Sequence, residues 1–321
     1  MDFTKAIEFL KTKNGFLLST HKNPDGDGIG SILAIAGILD NLGKEYTIIS
    51  HDPTPKKLSF LARTEEIRSC ASSAVENKSF DVAVIIDSPN LERIGCAARF
   101  LSSDVKILNI DHHVSNQRYG YRNLIVPEAS SSAQVVGGIY EKMGIKPDPA
   151  SAQALYVGLC VDTGRFRFNN TTPEVFRFAA LLLECGAVPD KIADWLYFLM
   201  NRETLEGLSK ILSSVRIYKN GKVAFAQLDH DFLNSDAGRK MDTEGFVNYP
   251  LSIEGVEAAF LLREEEKGKT RVSLRSKTEF DVNKLAGMFG GGGHPRASGC
   301  TIEEELENAR IKLLEAMEFL P

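Results

Sequence analysis

In the first 130 residues, apolar side chains come in short unbroken runs, and three of these runs stop at acids or imidazoles. Phe16 to Thr20 leads into His21 and then Asn23-Pro24-Asp25-Gly26-Asp27. Val82 to Ile86 leads into Asp87, and Val105 to Ile110 leads into Asp111-His112-His113. Short apolar runs bounded by turn residues read as buried strands. Residues 2–12 pattern as an amphipathic helix with Ala6, Ile7 and Leu10 on one face. Ile29 to Leu39, interleaved with Gly28, Gly30 and Gly37, reads as a helix buried against a sheet, and Glu45 to Ser50 as a second strand. A β–loop–α–β order predicts a parallel sheet. Residues 52–80 read as irregular with short helical pieces, Leu91 to Phe100 as a short segment, and Tyr121 to Val126 as a strand stopped by Pro127.

From Ser130 the period turns helical. Ala133, Val135, Val136, Ile139, Tyr140 and Met143 share a face and Gly144 reads as the C-terminal cap. A second helix spans Pro149 to Asp162. Thr172-Pro173 starts a third, which runs to Gly186, Pro189 a fourth to about Met200, and a fifth spans about 202–213. Beyond 213 the period shortens. Ser213–Tyr218 and Lys222–Leu228 flank the hairpin turn Lys219-Asn220-Gly221, and Val256–Leu262 and Lys269–Arg275 flank a charged turn. A helix over Asp281–Phe289 leads into Gly290-Gly291-Gly292-Gly293-His294, and an amphipathic helix over about 303–319 closes the chain. The expected architecture is α/β: an N-terminal, mostly parallel sheet flanked by helices over 1–186, a helical connector over 187–213, and a smaller C-terminal α+β domain over 214–321.

Composition narrows the partners. A length of 321 residues accommodates two domains. A net charge of −5 argues against a duplex-DNA binder, which needs a broad basic face. No stretch approaches the roughly 20 apolar residues of a membrane span, and the N-terminus has no basic segment followed by an apolar one. The five cysteines are scattered and form no Cys-x-x-Cys pair, so the expectation is a cytoplasmic protein with reduced thiols and no disulfide framework.

The acids and imidazoles at the strand ends carry the chemistry. Taken alone, Asp25-Gly26-Asp27 reads as a turn and Asp111-His112-His113 as a capped loop. Open α/β sheets, however, place their chemistry at the carboxyl ends of strands, and all three motifs fall there. His21, Asp25, Asp27, Asp87 and His112 thus form a carboxylate–imidazole donor set without thiolate, which suits Mn²⁺, then Mg²⁺. Asp162 reads equally well as a ligand or as part of a C-terminal helix turn. With it the set has four carboxylates, which two divalent cations would neutralise. The chemistry that needs such a pair is hydrolysis at phosphorus. Asp87, on its own strand end between the other two, is the expected bridging carboxylate. His51-Asp52 also ends a strand, but Pro53 follows and no second acid is near, so it is read as outside the site.

Four glycines before His294 cannot be a helix interior. They read as a flexible turn or as a phosphate-binding loop in which Gly291, Gly292 and Gly293 bring backbone N–H groups to an anion, while His294 and Arg296 add donors. No Lys-Ser/Thr follows them, so this is not a P-loop. Arg165, Arg167, Arg263 and Arg275 are further candidates for phosphate contacts. Ser130-Ser131-Ser132 reads as a helix N-cap in preference to a phosphate site.

Taken together, His21-Lys22-Asn23-Pro24-Asp25-Gly26-Asp27, Asp87, Asp111-His112-His113 and Asp162-Thr163-Gly164, in that order, resemble the motifs of the DHH phosphoesterase superfamily. Gly291-Gly292-Gly293-His294 with Ala297 and Gly299 resembles the DHH-associated C-terminal domain. The resemblance implies an active cleft between two α/β domains and two metal ions, usually Mn²⁺. His21, Asp25 and Asp87 would hold one ion; Asp27, Asp87, His112 and Asp162 would hold the other. Asp111 would orient an imidazole, and His113 and His294 would bind the scissile phosphate. The chain is most similar to the bacterial nano-RNase and pAp phosphatase group, which implies short single-stranded oligonucleotides or nucleotides as substrates. A di-adenylate (pApA or cyclic di-AMP) phosphodiesterase and a catalytically silent nucleotide-binding protein are the alternatives. A monomer and a homodimer are both compatible with the sequence.

Overall fold

A computed structural model describes residues 3–71, 78–277 and 279–319. Two units divide the chain, Met1–Leu199 and Met200–Pro321. The first contains α1 (Phe3–Thr12), β1 (Phe16–Ser19), α2 (Gly26–Asn41), β2 (Tyr46–Ser50), β3 (Arg68–Ser69), β4 (Phe80–Ile86), β5 (Leu101–Asp111), β6 (Arg122–Ile125), α3 (Ser132–Met143), α4 (Pro149–Asp162), α5 (Pro173–Glu184) and α6 (Pro189–Ala193). Its six strands pair in the order β3-β2-β1-β4-β5-β6, every pair parallel.

The apolar runs are continuous because both faces of this sheet are covered. Phe16, Leu18, Val84, Ile86, Leu108 and Ile110 pack on one side with the α2, α3 and α4 helices. Leu17, Ile49, Ala83, Ile85 and Ile107 pack on the other with Ile94, Ala97 and Phe100 from a 3₁₀ segment, Leu91–Phe100. Each fully buried Leu or Ile contributes roughly 1.5–3 kcal/mol. Helix α2 is buried nearly all round, and the place of Gly30 is set by how closely α4 approaches: a Cβ there would lie 2.2 Å from the Ala154 carbonyl oxygen.

Two expectations for this unit need correction. The 52–80 stretch contributes an edge strand, β3, whose two residues were too few to produce a pattern. The cysteines were expected to be unpaired thiols, but Cys70 and Cys96 form a disulfide with Cα atoms 6.1 Å apart. A separation of 26 residues carries no signal of this. The pairing arises because β3 adds to β2 in register, Ile49 opposite Arg68 and Ser50 opposite Ser69, which carries Cys70 to the end of the sheet beside the 3₁₀ segment. Cys160, Cys185 and Cys300 are free thiols.

The second unit contains α7 (Arg202–Ser213), β7 (Arg216–Tyr218), β8 (Val223–Leu228), the short helices α8 (His230–Leu233), α9 (Asp236–Lys240) and α10 (Asn248–Leu251), then β9 (Ala258–Glu266), β10 (Lys269–Ser276), α11 (Val282–Gly287), β11 (Gly292–His294), β12 (Ala297–Ile302) and α12 (Leu306–Ala316). Its sheet runs β11-β12-β10-β9-β8-β7, antiparallel except for the β8–β9 pair. Val272, Leu274, Phe260 and Leu262 face α11 and α12, while Ala259, Leu261 and Ala226 face Ile211 and the short helices. Among the described residues no helix is long and apolar enough to cross a membrane.

Candidate metal centre

Strand β1 pairs with β2 on one side and β4 on the other, so the strand order reverses at β1 and opens a crevice at the carboxyl ends of β1 and β4. The chain fills that crevice with polar groups. After β1, Asp25 caps helix α2, its Oδ1 accepting from the N–H groups of Asp27 and Gly28 at 2.9 and 3.1 Å. After β4, Asp87 takes the left-handed conformation, φ 54°. That conformation is costly for a non-glycine residue and persists only where the surroundings fix it.

Asp87, 3% exposed, lies at the centre of the cluster. Its Oδ2 is 3.3 Å from His21 Nε2; its Oδ1 is 3.7 Å from His112 Nε2 and 3.6 Å from His113 Nδ1, and accepts from the Ser132 hydroxyl at 3.1 Å. His21 Nε2 is 3.8 Å from Asp25, and His112 Nε2 is 3.1 Å from Asp162. Three donor groups able to hold a cation emerge in this cluster: two with no member in common, His21, Asp25 and Asp87, and Asp27, His112 and Asp162, and a third, Asp87, His112 and His113, that draws on both. Asp162, undecided between ligand and helix turn on spacing alone, closes α4 and aims its carboxylate into the second group.

The imidazoles are pre-aimed. His21 Nδ1 lies 2.8 Å from the Lys22 carbonyl and His112 Nδ1 lies 3.3 Å from the Ala129 carbonyl. An N–H at each Nδ1 donates to those oxygens and leaves Nε2 turned to the carboxylates, the tautomer a metal ligand needs. Asp111, fully buried, accepts from His113 Nδ1 at 2.7 Å and from the backbone N–H groups of His112 and His113 at 2.8 and 3.2 Å. The ring it orients is therefore that of His113.

Charge balance shows what the cluster lacks. For Asp27, burial and the nearby Asp162 and Asp87 charges hold the carboxyl well above its usual range. Burial pushes Asp162 up, and despite its bond to His112 it settles at about 6. For His112, burial opposes the charge, but the bond to Asp162 and the surrounding carboxylates override it and push the group up to about 11. His21 is held well above the histidine range in the same way, burial being outweighed by Asp25 and Asp87. For Asp87, burial is outweighed by His21, His112 and His113, and its carboxyl falls well below the usual range. Without a cation, the buried carboxylates are balanced by protons. A hard, carboxylate- and imidazole-lined centre of this kind fits divalent metal in place of those protons.

Several supports carry no motif. Both oxygens of Asp27 accept backbone N–H groups at the start of α3, Ser132 at 2.6 Å and Ala133 at 2.8 Å. Ser131 caps that helix through Gln134 N–H, in agreement with the N-cap reading of the serines. Asn116 donates to Asp111 Oδ2 at 2.5 Å and to Asn109 at 2.9 Å. A helix start facing two acids was visible in the sequence only as three serines.

Other candidates lie apart from this cluster. Arg165, φ 65°, is exposed and stacks 3.9 Å above the Tyr197 ring, and Arg167 is also exposed. In the second unit the glycine stretch is an edge strand of a hairpin: Gly292 pairs with Gly299, Gly293 with Ser298 and His294 with Ala297. This corrects the expectation of a loop, and it gives two of the glycines a packing reason. A Cβ at Gly291 would lie 2.2 Å from the Gly299 carbonyl oxygen, and Gly293 has φ 150° with a Cβ position 2.5 Å from the Ala297 oxygen. His294 is exposed, and Arg296 pairs with Glu279 at 3.6 Å. On the adjoining face of the sheet, Arg263 stands opposite Arg271, with Arg275 further along β10. Burial lowers both Arg263 and Arg275 from the usual arginine range, although Glu265 lies 3.9 Å from Arg263.

Comparison with known proteins finds relatives over nearly the whole chain. The N-terminal domain of the DHH family matches residues 16–159, and a DHHA1 domain matches residues 220–318. Over 316 residues the chain is 34% identical to the bifunctional oligoribonuclease and PAP phosphatase NrnA of Thermus thermophilus, covering 97% of this chain and 92% of that protein. The Bacillus subtilis protein of the same name is 30% identical over 314 residues, with 96% of each chain covered. The crystal structure of an exopolyphosphatase-related protein from Bacteroides fragilis shares the fold with a TM-score of 0.91 at 29% identity, covering 98% of this chain and 95% of that one.

Proposed function

This chain belongs to the DHH family of phosphoesterases, which are hydrolases, and on that premise we propose that it degrades short oligoribonucleotides to mononucleotides and removes the 3′-phosphate from adenosine 3′,5′-bisphosphate. One observation carries the mechanism: Asp87 reaches His21 with one oxygen and His112 with the other, and so joins the two donor groups. We assign His21, Asp25 and Asp87 to one divalent cation and Asp27, Asp87, His112 and Asp162 to a second, with Mn²⁺ the preferred ion of a carboxylate–imidazole set. When bound, such a pair lowers the pKa of a water and neutralises phosphate oxygens.

The protein's own groups do the rest. Asp111 fixes the His113 ring so that its Nε2 is offered to charge developing on a phosphate. Asp27, held by two backbone N–H groups, keeps its place against the repulsion of its neighbours. In the second unit, Gly291, Gly292, Gly293, His294 and Arg296, with Arg263 and Arg275, form the proposed phosphate grip. Arg165 contributes a further contact. The net charge of −5 and the few basic runs suit a substrate of one to a few nucleotides better than a long strand, which calls for a basic channel with stacking aromatics. A cytoplasmic location follows from that substrate class.

Side-by-side assays with a labelled five-mer RNA, adenosine 3′,5′-bisphosphate, pApA and cyclic di-AMP test the reading. Turnover of the five-mer and the bisphosphate is expected. Hydrolysis confined to cyclic di-AMP or pApA would replace it with a di-adenylate phosphodiesterase, and nucleotide binding without hydrolysis would leave a silent binding protein.

A further inference from the structure

We propose that His51, Cys70 and Cys96 form a second, thiophilic metal site, separate from the carboxylate centre, which takes a divalent ion of the zinc class when the Cys70–Cys96 pair is reduced. The three donor atoms lie within 4.8 Å of one another. Sequence order hides them: Cys70 directly follows the edge strand β3, His51 directly follows β2, and Cys96 lies on the 3₁₀ segment. The backbone locks this meeting. The His51 carbonyl accepts from Ala71 N–H at 3.1 Å and from the Ser69 hydroxyl at 2.9 Å, while Cys70 N–H donates to the Ser50 carbonyl at 2.9 Å.

The imidazole is what sets this place apart from a plain disulfide. The Cys96 backbone N–H donates to His51 Nδ1 at 3.1 Å, so that nitrogen carries a lone pair, and the same nitrogen lies 3.0 Å from Cys96 Sγ. Its partner nitrogen, Nε2, lies 4.0 Å from Asp52 Oδ1, an arrangement in which a carboxylate steadies a ligating ring. Gly95 makes room for the ring: with φ 57°, its absent Cβ would lie 2.6 Å from His51 Nδ1. Cys70 is buried, whereas His51 and Cys96 are half-buried and leave a fourth position open to water.

The chemistry balances with a dithiol reductant. Two electrons and two protons from the reductant convert the disulfide to two thiols. A divalent ion then binds both sulfurs as thiolates and releases two protons to solvent, and His51 Nδ1 exchanges its hydrogen bond from the Cys96 N–H for the ion. Disulfide and metal thus exclude each other. The same segments also hold the loop that carries His21 and Asp25: Lys22 N–H donates to the Arg93 carbonyl at 2.7 Å, and Asn23 N–H to Asp52 Oδ2 at 2.6 Å.

Cobalt titration tests the site without relying on hydrolysis, because a carboxylate–imidazole centre gives no sulfur-to-cobalt charge-transfer band. Full-length protein reduced with a phosphine and titrated anaerobically with Co²⁺ is expected to show that band, and Zn²⁺ should bleach it. The oxidised protein should show none. Cys70→Ser and Cys96→Ser should abolish the band, and His51→Gln should weaken Co²⁺ binding there at least about tenfold. Absence of the band in reduced, folded wild-type protein would overturn the proposal, whatever the variants do. So would its survival in the double variant Cys70→Ser/Cys96→Ser, which would place the thiolate at Cys160, Cys185 or Cys300.

Discussion

The carboxylate centre of the first unit and the glycine hairpin of the second are built on opposite principles. Asp27 and Asp111 are fully buried, Asp87 is 3% and His21 7% exposed, and each is held by backbone amides or by another member of the cluster. Gly292, Gly293 and His294 stand exposed on an edge strand, held by the β12 ladder and by the Ser298 hydroxyl, which donates to the His294 carbonyl at 2.7 Å. Buried charges must be matched atom for atom, because each unpaired one costs several kcal/mol. An exposed hairpin carries no such constraint. The first region should therefore fail outright when one member is changed, and the second should fail by degrees.

The strongest way to break this contrast is to remove its centre. Asp87→Asn, or chelation of the wild type, is expected to lower turnover by at least about 10³-fold, the scale on which a preorganised stabiliser of developing charge acts. After chelation, Mn²⁺ should restore activity better than Mg²⁺. Full activity of Asp87→Asn in a steady-state assay would show that the two donor groups are not joined through this residue.

A smaller effect is expected at the hairpin. His294→Ala should lower kcat about 10²-fold, the lower end for a positioned acid–base or charge-stabilising side chain, with bound metal unchanged by elemental analysis. Loss of metal from this variant would make His294 part of the buried centre and erase the distinction between the regions.

The smallest and most diagnostic effect is on pH dependence. In the metal-free protein, Asp162 is raised from 3.8 to about 6 and His112 from 6.5 to about 11. Both bind their protons more tightly folded than unfolded. Their stabilisation is complete below the unfolded values and is lost as pH rises, through about 4–6 for Asp162 and above about 6.5 for His112. Asp25 and Asp87, lowered in the fold, act in the opposite sense, but only below their unfolded value of 3.8. The Tm of the metal-free protein should therefore fall between about pH 4 and 9, while Mn²⁺ affinity rises over the same range because the metal displaces those protons. Calorimetry with and without Mn²⁺ reads both slopes, and a metal-free Tm that rises with pH would contradict the proton-balanced cluster.

Much of the first region was legible because a parallel strand covered on both faces must be apolar along its length, so the residue at which the run stops is conspicuous. His21, Asp87 and Asp111-His112-His113 stood out for that reason, and the helices from α3 to α5 followed from period and caps. The supports were not legible. Ser132, Asn116 and the carbonyls of Lys22 and Ala129 act through backbone direction or through a short polar side chain of common type. The glycine stretch was legible as unusual but had two readings, since close strand approach and anion binding ask for the same residue. The edge strand β3 and the Cys70–Cys96 disulfide left no trace, because two residues make no period and cysteine spacing encodes no distance.

The sequence by itself determined which residues end the strands, the parallel sense of the first sheet, and a hard donor set free of thiolate. Those follow from side-chain solubility and ligand chemistry, which are local. Tertiary structure alone decided that Asp162 turns into the second donor group, that Asp111 holds the ring of His113, and that a histidine and two cysteines drawn from separate segments meet. Such meetings depend on strand register and on where α4 ends in space, quantities that belong to the packed chain as a whole.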